Sequence, residues 1–105
     1  MTPAQSRIRR DELLLPVAYV APGTPTEQGL AEVWRTVLHM DRVGVHDSYF
    51  DLGGDSIMAV TMFALVMEKF AVTVPTATLF DAPTIAKLGG AIDRIKGSSG
   101  PRGFA

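Results

Sequence analysis

The sequence predicts an all-α fold, a small four-helix bundle of three main helices and one short one, with a long loop between helices 1 and 2. Three observations carry this. Apolar residues recur at helical spacing in two stretches, near residues 24–38 and 85–95, and a third apolar stretch of helix length runs from Ser56 to Phe70. Capping residues and proline stand where these stretches begin, and glycine interrupts the pattern between the first and second. A chain of 105 residues suits one domain with a small core and short connections.

Helix 1 is announced by Thr24-Pro25-Thr26-Glu27. Thr24 caps the free N–H groups, Pro25 suits the first helical position, and Glu27 completes a capping box. Leu30, Val33, Trp34, Val37 and Leu38 then form one buried stripe, so Trp34 belongs to the core. Residues 41–55 break the period with Gly44, Gly53, Gly54 and several aspartates, and a long loop in a compact domain tends to be functional. Helix 2 runs from about Ser56 to Phe70. Val72, Val74 and Pro75 form an extended link, Thr76–Phe80 one short turn, and Asp81-Ala82-Pro83-Thr84 a stop followed by a new start. Ile85, Leu88, Ala91, Ile92 and Ile95 mark a last helix ending near Lys96. The domain is therefore placed at 24–96, after an extended or poorly ordered leader (1–23) and before a disordered Gly/Ser/Pro-rich tail (97–105). The leader's Leu13–Leu15, Val17, Tyr19 and Val20 are too apolar for a free linker, so some are expected to lie in a groove of the domain or on a neighbouring domain.

Composition narrows the functional classes. A formal net charge of −1 argues against a nucleic-acid binder, which carries a basic patch. The absence of cysteine excludes disulfide scaffolds, cysteine-ligated zinc and thiol catalysis. No apolar run approaches bilayer-spanning length, and Leu13–Leu15 before Pro16 is too short for a signal-peptide core. The expectation is a soluble, cytoplasmic monomer that binds neither membrane nor nucleic acid.

The informative stretch is Asp47-Ser48-Tyr49-Phe50-Asp51-Leu52-Gly53-Gly54-Asp55-Ser56-Ile57. Two glycines permit a backbone path that other residues resist. They lead to a serine at the mouth of a helix, where unpaired N–H groups and the helix dipole favour an anion. A phosphate esterified to Ser56 would sit in a favourable field, and the hydroxyl would be exposed. Taken locally, a plain helix cap by Asp55 or Ser56 accounts for the same residues and is the commoner case.

The run Tyr49-Phe50-Asp51-Leu52-Gly53-Gly54-Asp55-Ser56-Ile57 closely resembles the core motif of peptidyl carrier (thiolation) domains of nonribosomal peptide synthetases. Thr24-Pro25-Thr26-Glu27 resembles that family's first-helix start, Trp34 stands where the family commonly has a tryptophan, and Phe80-Asp81-Ala82-Pro83-Thr84-Ile85 resembles its lead into the last helix. The resemblance covers about residues 19–95. It implies that Ser56 carries a covalent phosphopantetheine arm taken from coenzyme A by a phosphopantetheinyl transferase, with Asp51, Gly53, Gly54 and Asp55 as supporting motif residues. The arm then holds an aminoacyl or peptidyl group as a thioester and shuttles it between an adenylation enzyme and downstream condensation or tailoring enzymes. The chain itself would catalyse nothing. The double glycine resembles the peptide-synthetase branch more than fatty-acid or polyketide carriers. An aryl or polyketide-type cargo, or an unmodified helical docking module, are the alternatives. The initial Met, leader and tail suit a discrete carrier. Leu14-Leu15-Pro16 through Tyr19-Val20-Ala21-Pro22, however, resembles the linker between an adenylation domain and its carrier.

On a helical wheel, Ala59, Val60, Met62, Phe63, Val66, Met67 and Phe70 form the expected core face of helix 2. Ile57, Met58, Thr61 and Leu65 fall opposite, beside Ser56, and are expected to form an apolar partner-docking patch, the alternative being that the long loop, or leader residues such as Val17 and Val20, covers them, Leu65 above all. Met58→Asp is expected to leave folding intact and slow transfer. Asp51 is expected to brace the loop through backbone hydrogen bonds, and Phe50 and Leu52 to anchor it in the core. His39 and His46 lack metal-ligand partners in sequence, and Asp47, Asp51 and Asp55 do not match a calcium loop, so no metal site is expected. No base is suggested near Ser56, so no catalytic residue is assigned.

Overall fold

The computed structural model describes residues 7–98. Its helices are α1 (Pro25–Leu38), α2 (Ser56–Phe70), α3 (Thr78–Asp81) and α4 (Ile85–Ser98). α1 begins with the full capping box: the Glu27 N–H donates to Thr24 Oγ1 at 3.1 Å and the Thr24 N–H donates to Glu27 Oε1 at 3.2 Å. That satisfies donors at both positions which the helix itself cannot pair. α1 buries Leu30, Ala31, Val33, Trp34 and Leu38 and packs against both α2 and α4. Thr26 Oγ1 donates to Asp93 Oδ1 at 2.6 Å, tying α1 to α4. Thr84 caps α4, its hydroxyl accepting from the Lys87 N–H at 3.2 Å. α4 extends past the expected stop at Lys96 to include Gly97 and Ser98. The rest of the expected tail, 99–105, and the start of the leader, 1–6, lie outside the described residues.

α2 corrects the wheel. Its buried residues are Ala59, Met62, Phe63 and Val66, whereas Val60 and Met67 are 63% and 52% exposed. Met58 and Leu65, expected on the open face, are half-buried against the core. The helix is apolar on nearly every side, so its own sequence underdetermines which side turns inward; the spacing 59, 62, 63, 66 selected by α1 decides it. Leu65 lines an open groove of about 350 Å³ between α1 and α2 with Glu32, Val33, Thr36, Glu68 and Lys69, a lining that includes neither Val17 nor Val20.

The segment between α1 and α2 is part of the core: Met40, Val43, Val45, Asp47, Tyr49 and Leu52 are all buried. Residues 7–23 lie along it. A single-turn 3-10 helix covers Arg10–Glu12. The Ile8 N–H donates to the His39 carbonyl and the Asp41 N–H to the Ile8 carbonyl, both at 2.9 Å. Leu13 and Leu15 pack on the core, while Leu14 is 89% exposed. Among the described residues no helix is long and apolar enough to cross a membrane.

Candidate functional site

The loop that delivers Ser56 is built from the inside outward. Asp47, 1% exposed, sits at its root. Its Oδ2 accepts from Arg10 Nε at 2.6 Å and from the Gly44 N–H at 2.8 Å, and its Oδ1 accepts from Arg10 Nη2 at 2.6 Å. A carboxylate so enclosed is held by charge-assisted, bidentate donors. The hydrogen bond to Asp47 holds the Arg10 guanidinium above its usual range, more than its burial lowers it.

Tyr49 comes next, fully buried and edge-on to Trp34, with ring centroids 5.4 Å apart. The Tyr49 N–H donates to the Pro83 carbonyl at 2.7 Å, fixing the loop to the start of α4. The Tyr49 hydroxyl donates to the Asp55 carbonyl at 2.9 Å, one residue before Ser56. Burial pushes this phenol's pKa up, with the Asp55 charge adding to the effect.

The two glycines are required for different reasons. Gly53 has φ +91°, where a side chain is strained, and open space around its Cα. Gly54 lies flat against the Tyr49 ring, and a Cβ there would overlap Cε2, Cζ and Cδ2 of that ring. Asp55 is the N-cap of α2, its carboxylate accepting from the Met58 N–H at 2.8 Å. Ser56 is the first helical residue and is exposed; among the described residues its hydroxyl makes no hydrogen bond. The N–H groups of Ser56 and Ile57 likewise have no acceptor among the described residues. A free hydroxyl beside free N–H donors at the positive end of a helix suits a phosphodiester oxygen.

Gly53, Gly54, Asp55 and Ser56 are thus brought together at one turn, with Ile57 (80% exposed) and Thr61 on the open face of α2. Asp51 is exposed and, among the described residues, makes no side-chain hydrogen bond; the bracing expected of it is done by Asp47, and by Asp41, whose Oδ1 accepts from the Arg10 N–H at 2.9 Å. Leu52 anchors the loop as expected, but Phe50 is 41% exposed and stacks on the exposed ring of Phe80 at 5.7 Å. Phe50 turns outward because Tyr49, its neighbour, already fills the inward position. Sequence reading missed Arg10, whose partner lies 37 positions away, and gave Tyr49 no role. Only the proximity of Tyr49 to the double glycine could have pointed to it. No group of His, Asp and Glu able to hold a metal occurs among the described residues.

The family described as "phosphopantetheine attachment site" matches residues 28–92. Tyrocidine synthase 3 of Brevibacillus parabrevis is 39% identical over 92 residues, covering 81% of this chain and 1% of that protein. Gramicidin S synthase 2 of Aneurinibacillus migulanus is 46% identical over 70 residues, covering 67% of this chain and 2% of its own length. The chain therefore spans only one or two hundredths of these relatives. The solution structure of an active-site mutant peptidyl carrier protein matches with TM-score 0.71 and 33% identity over 77% of this chain and 90% of that one. A structure of the phosphopantetheine transferase Sfp in complex with coenzyme A and a peptidyl carrier protein matches with TM-score 0.70 and 36% identity, over 72% of this chain and 99% of that one. The chain belongs to the phosphopantetheine-attachment family and, within it, to the peptidyl carrier proteins. Its cofactor is covalent phosphopantetheine.

Proposed function

We propose that Ser56 is the attachment point and that the chain is a non-catalytic carrier of an aminoacyl or peptidyl group. One observation carries the assignment: Ser56 is an exposed, unbonded hydroxyl at the first position of α2, inside the matched residues 28–92 and behind a loop braced by Tyr49. When bound, phosphopantetheine supplies a terminal thiol on a flexible arm, and that thiol bears the acyl cargo. The residues of this chain present and orient. Gly53 and Gly54 shape the turn, Asp55 caps α2, and the Ser56 and Ile57 N–H groups face the phosphate.

The partners are a phosphopantetheinyl transferase, an adenylation enzyme and downstream condensation or tailoring enzymes. They dock beside Ser56 on the open face of α2, chiefly on Ile57 and Thr61, with Val60 added because it is 63% exposed. Met58 and Leu65 contribute only the edges that the core leaves uncovered. Such contacts are small and apolar, as serial, transient docking requires.

Intact mass spectrometry after incubation with coenzyme A, magnesium and a broad-specificity phosphopantetheinyl transferase tests the assignment. One phosphopantetheine is expected on wild type and none on Ser56→Ala. Wild type that stays unmodified while folded, or a Ser56→Ala variant that gains the group, refutes it.

A further inference from the structure

We propose that residues 7–20 form a strap that sets the order of the loop bearing Ser56, with the buried Arg10–Asp47 pair as its fastening; the effect on Ser56 rests on the carrier reading above. The strap's polar contacts converge on one stretch, the run from the end of α1 to the root of the motif. Ile8 exchanges backbone hydrogen bonds with His39 and Asp41, and the Arg10 N–H donates to Asp41. Arg10 grips Asp47, and the Val45 N–H donates to the Val20 carbonyl at 2.9 Å. Arg10 also closes the strap on itself, Nη2 donating to the Val17 carbonyl at 2.9 Å. The Arg10 and Asp47 side chains are 8% and 0% exposed, so neither charge can turn to water while the strap is down.

Asp47 lies two residues before Tyr49, and Tyr49 is the post on which Gly54 and Asp55 rest. The loop has two moorings, the strap on one side and α4 on the other, where Tyr49 reaches Pro83 and the Ala86 N–H donates to the Val45 carbonyl. Lifting the strap removes one mooring and leaves Asp47 buried without its cation. The loop then opens locally to hydrate that carboxylate, and the fraction of molecules presenting Ser56 in its ordered turn falls. Any contact that takes up residues 7–20 is thereby an input to the modification site. By linkage, a partner that orders the Ser56 turn presses the strap down. Arg10 is in this scheme a positioning residue, acting through Asp47 and Tyr49.

The test compares wild type, Arg10→Lys and Arg10→Met. Hydrogen exchange of the unmodified proteins is read at the Tyr49, Gly53 and Gly54 amides, with Trp34 and Ile92 as interior references. Transferase kinetics with coenzyme A are read on the same proteins. In Arg10→Met the loop amides are expected to exchange about tenfold faster while Trp34 and Ile92 hold, and KM for the carrier to rise about tenfold with kcat unchanged. Arg10→Lys, which keeps the charge but not the two-pronged grip, is expected to shift both readings about threefold. Loop amides at wild-type rates, equal acceleration at Trp34 and Ile92, or an unchanged KM would each overturn the proposal. If Arg10→Met does not fold, Arg10→Lys decides by the same criteria. If wild type is not modified at all, it is the carrier assignment that fails, and the exchange data alone decide the strap.

Discussion

Gly54→Ala is the sharpest probe of how the motif is held. The added methyl group overlaps three carbons of the Tyr49 ring. That ring has no room to retreat: Tyr49 is fully buried, lies edge-on to Trp34, and is pinned at both its N–H and its hydroxyl. Forcing a methyl into a filled site costs about 1–3 kcal/mol. Displacing the ring also breaks the hydrogen bond to the Asp55 carbonyl, for about 1 kcal/mol more. Alanine's smaller loss of backbone entropy returns about 0.4–1 kcal/mol. The net is a loss of about 1–3.5 kcal/mol, or about 4–28 °C in Tm for a domain of this size. Gly53→Ala, strained at φ +91° but unobstructed, costs about 1–2 kcal/mol. Urea unfolding followed by far-ultraviolet circular dichroism measures both. The steric origin is tested in a Tyr49→Leu background, where Gly54→Ala is expected to cost less than about 0.5 kcal/mol, the scatter of a neutral substitution. A Gly54→Ala protein as stable as wild type, or an equal cost with and without the Tyr49 ring, refutes the reasoning.

Burial yields two further predictions. In a spectrophotometric titration one phenol should ionise above the ordinary tyrosine range, and Tyr49→Phe should abolish that late step. Because the raised pKa belongs to the folded state, the unfolded chain loses this proton first; the stabilisation is complete below about pH 10 and declines as pH rises through the folded value. A late step that survives in Tyr49→Phe would assign it elsewhere. Ile57→Asp should leave stability within about 0.5 kcal/mol of wild type and slow loading by partner enzymes, whereas Met58→Asp should cost about 1–3 kcal/mol, since it drives a charge towards the core that Met58 packs against. Paired thermal melts and loading rates check this, and equal stability losses would show that the two positions are not distinguished by burial.

What was legible in the sequence was local. The capping box at Thr24 and Glu27, the stripe through Trp34, the cap at Thr84 and the motif ending at Ser56 each depend on residues within a few positions of one another. What was not legible depended on a choice between equivalents. α2 offers apolar residues on every side, and only α1 decides that Val60 and Met67 face out. Asp47 and Asp51 look alike in a loop, yet one meets an arginine 37 positions away and the other meets no side-chain partner among the described residues. Phe50 and Tyr49 are adjacent aromatic residues that look alike in sequence, and only the fold shows that Tyr49 is the one turned inward, its hydroxyl paired with the Asp55 carbonyl.

The edge-to-face contact between Trp34 and Tyr49 has a photophysical consequence. Trp34 is the sole indole of the chain, fully enclosed, and its Nε1–H meets no acceptor among the described residues. An indole so shielded emits towards the blue, and a phenol 5.4 Å away passes its excitation to it almost completely. Since that phenol's hydroxyl ends on the residue before Ser56, the colour and yield of this native lamp register the state of the turn without any label being added.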